Sequence, residues 1–199
     1  MKDLKIAVLG STNGTDLQAL IDHQIPVELV ISNKKNAGIL ERAKKDGYPV
    51  LFISAQDKTR EEFDREVMKV LKAKEINLIL LIGYMRYLSA EFVNQYRNQI
   101  MNIHPSLLPA FAGRMDKNVH EEVLKSGVKT TGCTLHFVDE GADTGPIILQ
   151  KEVAVEENET VDSLKAKVQK AEQEIILEGI ELFADSRLEV KNGLVNIKE

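Results

Sequence analysis

One cysteine, no tryptophan and an aromatic content of 5% are the first features of this 199-residue chain. With Cys133 alone, no internal disulfide can form, which fits a reducing compartment and leads to the expectation of a cytoplasmic protein. No apolar run approaches the roughly 18 residues that a membrane span needs. The N-terminal MKDLKIAVLG carries an acid at Asp3 and no small-residue cleavage site, which argues against a secretory signal. A basic block is missing as well: the formal net charge is -5, and lysines such as those of KVLKAK (69–74) alternate with apolar residues at helical spacing, as on a solvated face. A nucleic-acid partner is therefore disfavoured. There is no GxGxxG, no Walker lysine and no His, Cys, Asp and Glu cluster at zinc spacing, so no metal is expected.

What is present is a soluble composition, 43% hydrophobic and 29% charged, long enough for one core. KIAVLG (5–10), VELVIS (27–32), PVLFIS (49–54), INLILLIG (76–83) and QIMNIH (99–104) read as buried strands. Helical patterns lie between them: LQALID, AGILERAKK, and a stretch opened by Thr59 and Glu62 as a capping box, with Phe63, Val67, Val70 and Leu71 on one stripe. Such alternation predicts an α/β fold with a mostly parallel twisted sheet and helices on both faces. TTGCTLHFVDE (130–140) and GPIILQKEVAV (145–155) then read as an antiparallel pair. Thr160 starts a long helix with Val161, Leu164, Val168, Ala171 and Ile175 at steps of three and four, and LEVKNGLVNI follows as a polar strand or tail. Residues 1–199 form one domain on this reading, with halves of about 1–100 and 101–199.

Two stretches carry chemistry. GSTNGTD (10–16) joins a strand to a helix, where Gly10 and Gly14 give backbone freedom and helical N–H groups face an anion; a plain strand-to-helix turn uses similar residues. In NIHPSLLP (102–109), Asn102 and His104 leave the same face of a strand at its carboxyl end, where α/β sheets bind ligands. An amide donor beside an imidazole suits a carbonyl that becomes an oxyanion, although such a pair also closes a strand end. DEGADTGP (139–146) adds Asp143 in a turn, and a carboxylate near His104 is expected to raise its pKa toward or above neutrality. Cys133 and His136 read as structural strand residues, and His23 as a surface residue.

With its LQAL loop, ISNKK (31–35), GYMRYLS (83–89), NIHPSLLP, HFVDEGADTGPIILQ (136–150) and VQKAEQE (168–174), the chain resembles the glycinamide ribonucleotide formyltransferases, folate-dependent enzymes of purine synthesis, along nearly its whole length. The resemblance implies a Rossmann-like formyltransferase fold, 10-formyltetrahydrofolate as co-substrate, glycinamide ribonucleotide as acceptor, and Asn102, His104 and Asp143 as catalytic residues. It implies that Gly14, Thr15 and Asp16 meet the ribonucleotide phosphate, and that Gln169 and Glu172 meet the glycinamide substrate. Arg60, Met85, Arg86, Tyr87, Leu88 and Asn102, with the turn Asp139, Glu140, Gly141, Ala142 and Asp143, fall in the folate site. A homodimer is left open.

Three departures stand out. The family's S-G-x-G-S-N loop is here Ser11, Thr12, Asn13, Gly14, Thr15 and Asp16, and the acid is expected to act as an N-cap or as a supporting group behind the site, leaving phosphate contacts to backbone N–H groups of Gly14 and Thr15. AFAGRMDKNVHEEVL (110–124) replaces the usual P-G-x-x-x-H pattern and is expected to roof the site differently, and Gln173 stands where His is common. Competing readings are another small phosphorylated amine as acceptor, hydrolysis of the formyl donor, or a non-catalytic nucleotide-binding module. With its start at the first strand and no basic C-terminal stretch, the chain is expected to be neither a deformylase with a regulatory N-terminal domain nor a formyltransferase acting on methionyl-tRNA.

Overall fold

A computed structural model of the protein describes residues 3–113 and 116–199, with the backbone alone for 116–118. The chain forms two compact units, one ending at Asn102 and the other spanning Ile103–Glu199. The division falls inside a single strand.

The first unit alternates β1 (Ile6–Leu9), α1 (Leu17–Asp22), β2 (Val27–Ser32), α2 (Gly38–Lys45), β3 (Val50–Phe52), α3 (Arg60–Ala73), β4 (Leu78–Leu81), α4 (Ala90–Gln95) and β5 (Ile100–His104). Its strands pair in parallel in the order β3-β2-β1-β4-β5. Central β1 is wholly buried, as its continuous IAVL run requires of a strand covered on both sides. The chain runs outward from β1 to β3 and then returns to the other side of β1. Right-handed crossovers therefore put α1 and α2 on one face and α3 and α4 on the opposite face. The reversal makes a topological switch point between β1 and β4, so the loops leaving their carboxyl ends emerge side by side.

The expected capping box opens α3: Thr59 Oγ1 accepts from the Glu62 N–H and Glu62 Oε2 from the Thr59 N–H. The buried stripe is Phe63, Val67, Met68 and Leu71, with Met68 in the place expected for Val70, which is half-buried. The short helix α4, capped by Ser89 Oγ accepting from the Phe92 N–H, has no long apolar period to announce it.

The second unit takes the end of β5 into α5 (Asp116–Ser126), β6 (Thr130–Phe137), β7 (Ile147–Ala154), α6 (Val161–Ala184), β8 (Leu188–Lys191) and β9 (Leu194–Ile197). The strand order continues β5-β6-β7, and β6 and β7 are antiparallel, as their short connection demands. Leu164, Val168, Ala171 and Ile175 of α6 are buried, and the helix packs on β6 and β7. The C-terminal segment is a hairpin, with Asn192 and Gly193 both at positive φ between β8 and β9. Among the described residues, no helix is long and apolar enough to cross a membrane.

Candidate active site

Strand alternation sends Asn102 and His104 out of one face of β5 and buries Ile103 on the other. His104 is 3% exposed. Its Nδ1 lies 3.3 Å from Asp143 Oδ2, and its Nε2 lies 3.2 Å from the Phe111 carbonyl. The segment after β5 is pinned from below: Thr134 Oγ1 donates to the Ser106 carbonyl at 2.7 Å and accepts from the Leu108 N–H at 3.0 Å. Gln150 Nε2 donates to the Leu108 carbonyl at 2.9 Å.

Asp143 sits in the β6–β7 connection at φ 56°, a left-handed conformation that Asp tolerates better than most residues. Asp139 Oδ1 shapes that turn by accepting from the Gly141 N–H and from Thr144 Oγ1. A Cβ at Gly145 would overlap the Phe137 carbonyl, so only glycine lets the connection pass. Asp143 Oδ2 accepts from the Gly113 N–H at 2.9 Å, and Oδ1 is 3.7 Å from His136 Nε2. His136, buried at the end of β6, has Nδ1 2.8 Å from the Phe137 carbonyl.

The electrostatics correct one expectation. Burial is the largest influence on Asp143 and pushes its carboxyl up. The nearby His136 ring, His104 and the Gly113 N–H together outweigh it and hold the group below the usual carboxylate range. For His104 burial wins: the imidazole lies below its ordinary value, although Asp143 and the Phe111 carbonyl pull it up. The carboxylate does not raise it toward neutrality, because removing an imidazolium from water costs more than this partner returns.

A family model for formyl transferases matches residues 4–180. The chain belongs to the formyl transferase family. It is 40% identical to the phosphoribosylglycinamide formyltransferase of Escherichia coli (strain K12), across 94% of this chain and 90% of that protein. It is also 40% identical to the trifunctional purine biosynthetic protein adenosine-3 of Homo sapiens, where it spans 20% of that much longer protein. The crystal structure of glycinamide ribonucleotide transformylase 1 from Symbiobacterium toebii superposes with a TM-score of 0.92 at 40% identity, covering 98% of this chain and 94% of that one.

In this formyl transferase the remaining candidate residues take the following places. Glu172 on α6 is 5% exposed, unlike a solvated helix residue, and Gln169 is half-buried one turn away. In the turn, Glu140, Gly141 and Ala142 are exposed while Asp139 is half-buried. In the first unit, Met85 and Leu88 are half-exposed and so do not belong to the core, and Tyr87 is 56% exposed. The Arg86 guanidinium lies 4.6 Å from the centre of the Phe63 ring. Arg60 opens α3 and its Nε donates to Glu61 Oε1. Gly14 has φ 62°, and a Cβ there would overlap Ile39. Asp16 occupies the N-cap position of α1, but its backbone is already helical and its side chain makes no capping hydrogen bond, which rules out the cap and leaves the supporting role of the two expected.

Residue-type reasoning overlooked three groups at the site: His136 and the backbone of Phe111 and Gly113. The only trace of His136 was its position at the end of the strand leading into the Asp143 turn. Backbone donors and acceptors leave no mark in a sequence. In the segment after NIHPSLLP, Phe111 and Gly113 bring backbone groups to His104 and Asp143; Arg114 and Met115 of that segment lie outside the described residues. Among the described residues no group of three or more His, Cys, Asp and Glu side chains could hold a metal ion.

Proposed function

We propose that this formyl transferase moves the formyl group of 10-formyltetrahydrofolate to the amine of glycinamide ribonucleotide, with Asn102, His104 and Asp143 acting on the reacting atoms. The observation that carries this reading is the buried His104–Asp143 pair at the carboxyl end of β5, in a chain 40% identical to a phosphoribosylglycinamide formyltransferase over most of both lengths.

The amine nitrogen attacks the formyl carbon, a C–N bond forms, and the carbonyl electrons move onto oxygen. Asn102 and His104 donate hydrogen bonds to that oxygen. Burial holds His104 below its ordinary value, yet with acceptors at Nδ1 and Nε2 it donates from both nitrogens only as the imidazolium, and the negative charge growing beside it favours that form as the tetrahedral intermediate develops. Asp143 holds the Nδ1 side of the ring, so that Nε2 exchanges the Phe111 carbonyl for the formyl oxygen. The amine gives up one proton and N10 of the folate receives one through a water held by Asp143. The bond from the formyl carbon to N10 then breaks, releasing tetrahydrofolate and the formylated ribonucleotide.

Backbone N–H groups of Gly14 and Thr15 take the phosphate, with Asp16 beside them. Gln169 and Glu172 take the glycinamide ribonucleotide, and Arg60, Met85, Arg86, Tyr87, Leu88 and residues 139–143 take the folate. A cytoplasmic, metal-independent reaction completes the reading.

The test follows the absorbance of a 10-formyl folate analogue with protein plus glycinamide ribonucleotide, without the amine, and with Asn102→Ala and His104→Ala. Amine-dependent deformylation is expected, with each variant slower by about a hundredfold or more. Full activity in both variants would refute the residue assignment, and loss of formyl without amine would make the protein a hydrolase.

A further inference from the structure

Ser11, Thr12 and Gly83 are assigned no role by the reaction above, yet they join two loops that are. Ser11 is buried and its hydroxyl is used twice: Oγ accepts from the Met85 N–H at 2.9 Å and donates to Asn33 Oδ1 at 2.7 Å. Its own N–H donates to the Gly83 carbonyl at 3.0 Å. Gly83 sits at φ 56°, and Thr12 Oγ1 occupies the space that a Cβ at Gly83 would need.

Each loop is braced on its far side too. The Thr12 carbonyl accepts from the Ile39 N–H at 3.0 Å, and the Asn13 carbonyl from Arg42 Nε at 3.3 Å, both from α2. Beyond Met85, Arg86 rests on Phe63, and the Ser89 N–H donates at 2.6 Å to Asp64, a carboxylate buried on α3. The span from α2 through residues 11–13 and 83–89 to α3 is therefore a chain of direct contacts, in which the Ser11 N–H and the Thr12 side chain meet Gly83 and the buried Ser11 hydroxyl holds Met85. Displacing one loop must move the other or break a buried hydrogen bond.

We propose that Ser11 is a positioning residue that couples the two substrate subsites, so that an occupant of the loop at 10–16 tightens binding at the loop of residues 83–88, and the reverse. The inference rests on the assignment of phosphate to the first loop and folate to the second. Each ligand orders its own loop, and through Ser11 the ordering cost of the neighbouring loop is partly met before its ligand arrives. The reciprocal gain must be equal in both directions.

The experiment measures the dissociation constant of a non-transferable folate analogue by calorimetry, alone and with saturating glycinamide ribonucleotide, and repeats it in the reverse order. Wild-type protein is expected to show the same gain both ways, on the order of fivefold or more. In Ser11→Ala, which keeps the backbone bond to Gly83 but loses the hold on Met85, the ratio should fall by about half or more while each ligand still binds on its own. Ser11→Cys, a poorer acceptor of similar size, serves if the alanine variant does not fold, and should show the same loss. Asn33→Ala keeps the Ser11–Met85 bond and should keep the coupling. A wild-type ratio near one, or a full ratio retained in folded Ser11→Ala or Ser11→Cys, would overturn the proposal while leaving the substrate assignment intact. Failure of wild type to bind either ligand alone would overturn both.

Discussion

At the residue scale the proposed chemistry turns on how one imidazole is held. His104 has an acceptor at each ring nitrogen, and burial still keeps it below its ordinary value. Asp143 is one of the influences pulling it up, so Asp143→Asn is expected to lower the His104 pKa further. Because a ring with an acceptor at each nitrogen donates from both only when protonated, kcat/KM should fall as pH rises through that pKa, and the basic limb should move to lower pH in the variant, from a reduced plateau. Ring NMR of His104 together with pH–rate profiles checks this; a limb that stays put or moves up would mean that Asp143 does not act through His104. Asn102, His104 and Asp143 could be picked from the sequence because strand alternation and a glycine-flanked turn are local rules. His136 could not: its nearness to Asp143 depends on how the β6–β7 connection folds back.

At the scale of elements, the loops do most of the positioning. Gly83 has no freedom to gain a side chain: Gly83→Ala is expected to cost about 1–2 kcal/mol of backbone strain, with a further penalty from displacing Thr12. Thr12→Gly should recover only the second part in the double variant. Urea denaturation of both single variants and the pair separates the two; complete rescue would show that φ at Gly83 carries no strain. Asp64 belongs to the same scale. Burial pushes its carboxyl up, while the Ser89 N–H and Arg86 draw it down by less. Asp64→Ala leaves the Ser89 N–H without its acceptor and should destabilise the protein by roughly 1–3 kcal/mol, read by the same titration. The α3 capping box was legible because its two residues satisfy each other across one turn. Asp16 misled the same logic, since an Asp before a helix caps only when its backbone is extended.

At the scale of the whole molecule, protonation links the site to stability. His104 has its folded-state pKa depressed below about 6.5, so the folded form resists a proton that the unfolded chain accepts. Its contribution is complete above that value and declines as pH falls toward the folded pKa. Asp143, also depressed, contributes above the ordinary carboxylate range and loses this as pH falls through its folded pKa. Asp64 has the opposite sign: stability declines as pH rises from its ordinary value to its raised one. Calorimetric Tm is therefore expected to fall on acidification below pH 6.5, with a shallower slope in His104→Asn just below that pH; an unchanged slope would remove His104 from the linkage. By itself the sequence determined the α/β alternation, the antiparallel end and the family, and it singled out Asn102, His104 and Asp143 as candidates, since apolar period, turn residues and motif spacing are written along the chain. Tertiary structure alone decided the sign of the His104 shift, the place of His136, and the joining of two loops 70 residues apart through Ser11 and Met85. Those depend on desolvation and on backbone groups meeting across space, and neither is a property of residue type or of order.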